Sequence, residues 1–364
     1  MPRVDPVRLE TFVVEIAASM GTSQNDAERL AASLVGADLC GHTSHGTRLL
    51  AAKYDGEIAE GKIDPSATSR FERDAGVFAT VDGRTAFGQV VARDAIDAGI
   101  EKAAEHGVGV VSLRNVSHIG RVGEWAERAT DAGMALVGFV SNPGSRWVAP
   151  PGSAQRRFST NPVVVGVPTF DALPFPLVHD AATSQVARSR IREQDTADAP
   201  LPEGWVTDES GRSVTDAAAF EDGEGAILPL GGFATGHKGY GLAVMSELMA
   251  GNGSDGSVSG QETVTWGNHA QFYVTDLERC TTRRAIEDRI DAMVAYVRET
   301  EYSDDVEMPW ATHGDRALLP GEAEHRTRER NAADGIPTPD GDAALLRDLA
   351  ADQGLETAVP DALR

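Results

Sequence analysis

The chain contains few cysteines and no long run of apolar residues. Its 364 residues include only two cysteines, Cys40 and Cys280, which excludes a disulfide-rich scaffold and a four-thiolate zinc site. It contains no run of about 18 apolar residues, so we expect no membrane-spanning helix. The first residues, MPRVDPVRLETFVVEI, lack the continuous apolar core of a signal peptide. These features favour a reducing, cytoplasmic location.

Positive charge is also scarce. Fifty-six acidic residues stand against 33 basic ones, which gives a formal net charge of −23. Only four of the basic residues are lysines: Lys53, Lys62, Lys102 and Lys238. This balance argues against nucleic acid as a partner, because nucleic-acid binding needs basic patches. The dispersed acids favour a halophilic protein, since concentrated salt screens the repulsion between carboxylates.

The order of apolar segments indicates a layered α/β or α+β protein. The length and an apolar content of 41% suit two or three domains. A helix follows Pro6, and Ser23 is expected to cap a second one. Between Val77 and Val140, short apolar strands alternate with helices. Residues 193–224 are polar and rich in turn residues, which predicts a long surface excursion.

Residues 41–50, GHTSHGTRLL, are the most informative segment of the chain. They place a hydroxyl (Ser44), an acid/base group (His45) and a fixed cation (Arg48) within five positions. We expect a helix over 47–59, because that stretch lacks proline and is rich in leucine and alanine. Free N–H groups at a helix start favour an anion, so this segment suits a small acid with an oxidisable alcohol. The alternative is a plain helix start with Ser44 as its cap.

Two further segments place glycine or polar residues at predicted strand ends. His118 follows a strand, and Gly120 and Gly123 open the next helix. Asp180 and Thr183 follow another apolar strand. Both arrangements suit a phosphate or a cofactor. An ordinary turn explains the first equally well, and a helix cap explains the second.

Two basic segments remain. His237 and Lys238 lie among glycines before a helix predicted over 241–250, which suits a phosphate although the spacing is not that of a Walker A loop. That helix is expected to end in a flexible loop over 251–260. A Pro320-Gly321 turn precedes three arginines, Arg326, Arg328 and Arg330. We expect them either to bind a phosphate or to form salt bridges with carboxylates on a helix face.

The histidines leave a remote alternative, a metal-dependent hydrolase. His42 and His45 are three positions apart, and His179 or Asp180 would complete a site. The residues between the two histidines supply no catalytic glutamate of the H-E-x-x-H kind. We therefore expect no metal.

Taken together and in this order, the segments resemble the malate/L-lactate/sulfolactate dehydrogenase family, which also includes ureidoglycolate dehydrogenase and cyclic imino-acid reductases. The resemblance runs from about Val7 to Pro337 through SHGTR, NVSHIGRVGEWAERA, STNPVVVGVPT, HDAATSQVAR, GHKGYGLAVMSELM and LLPGEAEHRTRERNAADGIP. It implies a homodimer with a non-Rossmann, α/β nicotinamide-binding fold, in keeping with the lack of a G-x-G-x-x-G sequence. It also implies a helical part (1–75), a cofactor-binding α/β part (76–265) and a C-terminal segment (266–364) that returns to the helical part.

The resemblance implies NAD- or NADP-dependent interconversion of a 2-hydroxy acid and its 2-oxo acid. It makes His45 the proton donor and acceptor, Ser44 its hydrogen-bonding partner and Arg48 the clamp for the substrate carboxylate. Tyr54, His118 and Thr160 are expected around the substrate. The cofactor is expected along His118, Gly120, Gly123, Asp180, Ala182, Thr183, His237, Lys238, Pro320, Gly321, Glu322 and Arg326.

Three positions depart from the family pattern. Arg48 stands one residue closer to the Ser-His pair than the family arginine, Tyr54 stands one residue later than the family's aromatic residue, and His179 replaces an apolar residue before Asp180. Arg190 occupies a position where imine-reducing members carry an acidic residue, which favours a hydroxy acid. A ureidoglycolate dehydrogenase, a cyclic imino-acid reductase and a nucleotide-binding protein without turnover are the alternatives.

Overall fold

The computed structural model describes residues 1–196, 198–262, 264, 266–301 and 317–364. The predicted C-terminal part, 266–364, therefore lies partly outside the described residues. The α-helices are α1 (Pro6–Ser19), α2 (Gln24–Leu39), α3 (Asp55–Ala59), α4 (Gly88–His106), α5 (Gly123–Asp131), α6 (Arg188–Thr196), α7 (Ala217–Glu221), α8 (Gly232–Ser254), α9 (Arg283–Arg298), α10 (Glu322–Asp334) and α11 (Asp340–Asp352). None of these described helices has the length and apolar character that crossing a membrane requires.

A seven-stranded sheet forms the centre of the α/β part. The strands of the protein are β1 (Arg3–Val4), β2 (Arg70–Ala75), β3 (Phe78–Asp82), β4 (Val108–Val116), β5 (Ala135–Ser141), β6 (Val163–Val167), β7 (Leu177–Ala181), β8 (Val206–Thr207), β9 (Ser213–Val214), β10 (Ala226–Ile227), β11 (Asn268–Thr275) and β12 (Ile336–Pro337). The order in the large sheet is β2-β3-β4-β11-β5-β6-β7. Only β3 and β4 pair in parallel, through the crossover helix α4; the other pairs are antiparallel.

Four apolar cores hold the described elements together. One joins the sheet to α4 and α5, with Trp125 and Phe272 fully buried. A second joins α1, α2 and α11 around Phe12, Leu34 and Leu346. Residues from both ends of the chain thus bury their apolar faces against each other. Ser23 caps α2 by accepting a hydrogen bond from Asp26 N at 3.2 Å, as predicted.

Two predicted segments differ in part from the structure. The helix predicted over 47–59 is present from Leu49 onward, but it is a π-helix over Leu50–Tyr54 before α3 follows, and a separate 3-10 helix covers Thr43–His45. The backbone is held by Asp38, which accepts hydrogen bonds from both the amide and the hydroxyl of Thr47. The surface excursion over 193–224 instead contributes α7 and two short strands to a third core, because its few apolar residues converge there.

The helix predicted over 241–250 is longer than expected. The element spans Gly232–Ser254, but the backbone of Thr235 (φ −137°, ψ 22°) is not helical and forms a kink, after which the helix continues through the first part of the predicted flexible loop. The glycines that follow the kink allow close packing. A Cβ on Gly239 would lie 2.4 Å from the backbone of Leu230, and one on Gly251 would lie 2.5 Å from Val258.

Candidate functional site

A cleft of about 580 Å³ lies between the segment after α2 and the ends of several sheet strands. One wall carries Ser44, His45 and Arg48; His118 and Thr160 come from the sheet side. The structure therefore brings together five of the predicted site residues, from segments far apart in the chain. Helix α6, which the resemblance linked to the substrate only through Arg190, supplies a further wall.

Asp38, at the end of α2, fixes the loop that carries Ser44 and His45. Its buried Oδ2 accepts hydrogen bonds from Thr47 N (3.0 Å) and Thr47 Oγ1 (2.7 Å). A Cβ on Gly46 would lie 1.7 Å from Asp38 Oδ1, so only glycine fits at this position. Burial raises the pKa of Asp38 to about 7. The sequence reasoning missed Asp38, because nothing local marks an aspartate whose partners lie nine residues away.

His45 is held in a defined orientation by its neighbour. The Oγ of Ser44 lies 2.9 Å from His45 Nδ1, which leaves Nε2 for a proton in transit. Desolvation of the half-buried ring lowers the pKa of His45 from its ordinary 6.5 to about 4. The imidazole is therefore neutral at pH 7 and able to accept a proton from an alcohol.

His118 stands beside it, with the two ring centroids 5.2 Å apart. Its Nδ1 accepts a hydrogen bond from Gly120 N at 3.1 Å, so in the neutral ring the proton is on Nε2. Burial holds the pKa of His118 well below 6.5. The cleft thus pairs a proton acceptor with a fixed hydrogen-bond donor. Asn268 on β11 fixes this turn by accepting from Ile119 N at 3.1 Å, a contact that sequence patterns do not reveal.

Arg48 is the cation nearest to this pair in the sequence, and α11 orients it. Its Nε lies 3.4 Å from Asp342 Oδ1. An arginine held through Nε can still present other N–H groups of its guanidinium to an anion. Asp342 is a second residue that sequence reasoning missed, since it lies almost 300 positions further along the chain. Arg48 lines the cleft despite its shifted position.

Thr160 lines the cleft, and hydrogen bonds from Thr183 hold its backbone in position. Its carbonyl accepts hydrogen bonds from Thr183 N (2.9 Å) and Thr183 Oγ1 (3.0 Å). The next residue, Asn161, has a positive φ of 31° and donates from Nδ2 to Glu247 at 2.9 Å. Thr183 is buried and supports the Thr160 backbone. Its predicted neighbour Ala182 is half-buried at the end of β7.

Three of the predicted cofactor segments meet at the end of β7. Gly123 N, at the start of α5, donates to Asp180 Oδ2 at 2.6 Å. Asp180 therefore caps α5, and not the helix that follows it in sequence. The segment before α10 joins them, because Val178 N donates to Pro320 O at 3.3 Å and a Cβ on Gly321 would lie 2.8 Å from Pro176 O.

Two of the three arginines of α10, Arg326 and Arg328, form ion pairs, whereas Arg330 donates to the Thr327 hydroxyl at 3.4 Å. Arg326 Nη2 donates to the buried Glu322 at 2.5 Å, and Arg328 Nη2 donates to Glu127 at 3.0 Å. The salt-bridged alternative is thus the arrangement present. Gly120, in the first of the cofactor segments, has a φ of 77° and is buried; its conformation suits the turn between His118 and α5.

The predicted site residues that do not line this cleft include Tyr54, His237 and Lys238. Tyr54 is fully buried, accepts a hydrogen bond from Gln89 Nε2 at 2.6 Å and packs on Phe87. It therefore belongs to the helical core. His237 and Lys238 lie within α8, are exposed and do not line the cleft.

The histidine pair of the metal alternative does not converge. His42 Nε2 lies 3.2 Å from Glu324 Oε1 on α10, whereas His45 bonds Ser44. Among the described ranges, no group of three or more histidine, cysteine, aspartate or glutamate side chains is placed to hold a metal ion.

Comparisons with known proteins agree with this arrangement. A family model of malate/L-lactate dehydrogenases matches residues 4–347. Hydroxycarboxylate dehydrogenase B of Escherichia coli (strain K12) is 33% identical over 365 residues, covering 97% of this chain and 95% of that protein. Malate dehydrogenase of Pyrococcus abyssi (strain GE5 / Orsay) is 32% identical over 350 residues, covering 92% and 90%. The solved structure of malate dehydrogenase from Pyrococcus horikoshii OT3 matches with a TM-score of 0.82 at 30% identity, covering 97% of this chain and 96% of that chain. These matches confirm the predicted fold class.

Proposed function

Because the chain belongs to the malate/L-lactate dehydrogenase family and is an oxidoreductase of that family, we propose that it interconverts a 2-hydroxy acid and its 2-oxo acid with NAD or NADP, using His45 as acid and base. The observation that carries this proposal is the convergence of His45, His118 and Arg48 in one cleft, with the two histidine rings 5.2 Å apart. We also propose a cytoplasmic location, because nicotinamide cofactors are available there.

The proposed chemistry divides between the protein and the cofactor. A bound nicotinamide supplies the hydride acceptor. Arg48 holds the substrate carboxylate, and the Nε2–H of His118 donates to the substrate oxygen. His45 Nε2 accepts the hydroxyl proton as the carbon loses its hydride, and it returns the proton in the reverse direction. The N-terminus of α5, with Gly120 and Gly123 near Asp180, suits the cofactor because glycines allow a close approach to the backbone.

The test is oxidation of L-malate and L-lactate by NAD⁺ or NADP⁺. The proposal expects one reduced nicotinamide and one released proton for each acid oxidised. If ureidoglycolate is oxidised but L-malate and L-lactate are not, the family assignment still holds and the proposed substrate is wrong. Hydrolysis that depends on an added metal would contradict the proposal.

We also propose that a second copy of the chain covers the outer face of α8. Leu242, Met245 and Leu248 follow one side of this helix and are 44%, 53% and 40% exposed. Three large apolar side chains on one helix face are costly to leave in water. The family resemblance implies a homodimer, which makes a second copy of the chain the expected partner for this face.

Light scattering is expected to give a dimer for the wild type and a monomer for Met245→Glu, because the glutamate would place a charge in the apolar contact. Met293→Glu is the matched control, since Met293 on α9 is 48% exposed but lies on another helix. A monomeric wild type, or a Met245→Glu protein that stays dimeric, would contradict this proposal.

We propose further that the protein is adapted to high salt. The net charge of −23 makes self-repulsion a large term at low ionic strength, where the screening length is ~30 Å at 0.01 M and falls to ~3 Å at 1 M. The melting temperature is therefore expected to rise from low to multimolar KCl. Sucrose, which strengthens burial without screening charge, is the control and should raise it less. A fall in melting temperature with KCl would exclude this adaptation.

A further inference from the structure

The cleft is cationic although the chain is strongly acidic. Its lining includes five arginines and lysines but only two acidic residues, Glu57 and Glu60. Two of the four lysines in the whole sequence are among them. The five cations are Arg48, Lys53, Lys62, Arg188 and Arg192. This excess of positive over negative side chains suits an anionic occupant.

On the wall formed by the loop after α2 and by α3, the lysines have carboxylate partners. Lys53 Nζ lies 2.9 Å from Glu57, and Lys62 Nζ lies 2.5 Å from Glu60. These pairs neutralise the lysines locally. Arg48 is held by Asp342, as described above, and the proposed function uses it for the carboxylate beside the reacting carbon.

The α6 wall is different, because two arginines share one carboxylate. Arg188 Nη2 donates to Glu221 at 2.5 Å, and Arg192 Nε lies 3.8 Å from the same Oε2 atom. The Arg188 guanidinium also stacks on Trp147, with its carbon 3.9 Å from the ring centroid. Arg188 is therefore fixed, whereas the Arg192 side chain is 60% exposed. One positive charge on this wall has no carboxylate of its own.

The same wall has unused hydrogen-bonding capacity. Arg188 lines the cleft, and its Nε is buried without a hydrogen-bond partner among the described residues. A substrate with only one carboxylate would use Arg48 and leave the α6 charge unmatched. A substrate with an acid group at each end would use both walls.

We propose that the substrate is a dianionic 2-hydroxy acid, with a second carboxylate or a sulfonate at the end away from the hydroxyl, and that Arg192 on α6 binds this second group. The proposal rests on the proposed function. Arg188, which is held between Trp147 and Glu221, keeps a second positive charge beside Arg192 on this wall. Arg192 is then the specificity-determining residue, and monoanionic acids are poor substrates.

The test compares oxaloacetate, sulfopyruvate and pyruvate as substrates for reduction, all at one KCl concentration. The wild type is expected to prefer a dianionic acid over pyruvate by at least tenfold in kcat/KM. Arg192→Gln should raise the KM for the dianionic acid by ~10–100-fold, the usual effect of losing a charged hydrogen bond. It should leave kcat/KM for pyruvate nearly unchanged.

Arg212→Gln is the matched control. The Arg212 side chain is 82% exposed, lies 4.0 Å from Asp208 and does not line the cleft, so the substrate preference should not change. Equal turnover of pyruvate and oxaloacetate by the wild type would overturn the proposal while leaving the dehydrogenase function intact. An equal loss for all three acids in Arg192→Gln would overturn it too. Failure to reduce any 2-oxo acid would instead count against the proposed function.

Discussion

Replacing His45 with asparagine is expected to lower kcat for 2-oxo acid reduction by ~10²–10⁴-fold, the usual range for a lost general acid or base. Asparagine retains hydrogen-bonding groups near Ser44 but cannot carry the proton. NADH binding should survive, because the proposed cofactor segments lie at the end of β7 and the start of α5. The two quantities are measured by steady-state reduction and by NADH fluorescence titration.

His42→Asn is the control for this prediction. His42 is only three residues away, but its Nε2 faces Glu324 at 3.2 Å, so the variant should keep kcat close to that of the wild type. If His45→Asn abolishes NADH binding, His45 is a structural or cofactor residue. If both variants lose activity equally and added zinc restores it, the metal-dependent alternative gains support.

Replacing Gly46 with alanine is expected to abolish activity and to destabilise the protein by ~1–3 kcal/mol, as overpacking in a filled core does. The added Cβ would lie 1.7 Å from Asp38 Oδ1, so either the carboxylate or the loop must move. Either movement breaks the hydrogen bonds that Asp38 accepts from Thr47. It thereby displaces Ser44 and His45.

Gly36→Ala provides the comparison. Gly36 lies inside α2, and a Cβ there would meet nothing within 4 Å. Alanine should stabilise α2 by ~0.5–1 kcal/mol, because it removes the entropy cost of a helical glycine. Urea unfolding and kcat are measured for both variants. A Gly46→Ala protein with wild-type stability and activity would show that the Asp38 contact does not fix the catalytic loop.

The sequence predicted local features well where they depend on neighbouring residues. Ser23 caps α2, and Ser44 lies beside His45, because caps and adjacent side chains are set within a few positions. The glycine-rich segment around His237 misled the prediction. Glycine there permits close packing on Leu230 within a longer helix, and propensity alone cannot distinguish that from a loop.

The supports of the site were not predictable from one sequence. Asp38, Asn268 and Asp342 each hold a site segment through a contact set by the tertiary fold. The central strand β11 pairs with β4 and β5, which are more than 125 residues earlier in the chain. The exclusion of Tyr54 from the cleft likewise depends on the π-helix at 50–54, which turns it into the core.

The most direct measurement is the oxidation of NADH and NADPH, followed by absorbance in multimolar KCl, with oxaloacetate, sulfopyruvate, pyruvate and a cyclic imino acid in separate reactions. The account predicts turnover of a 2-oxo acid, fastest with a dianionic one, and little reduction of the imine. Folded protein that reduces the imine but none of the oxo acids would contradict it.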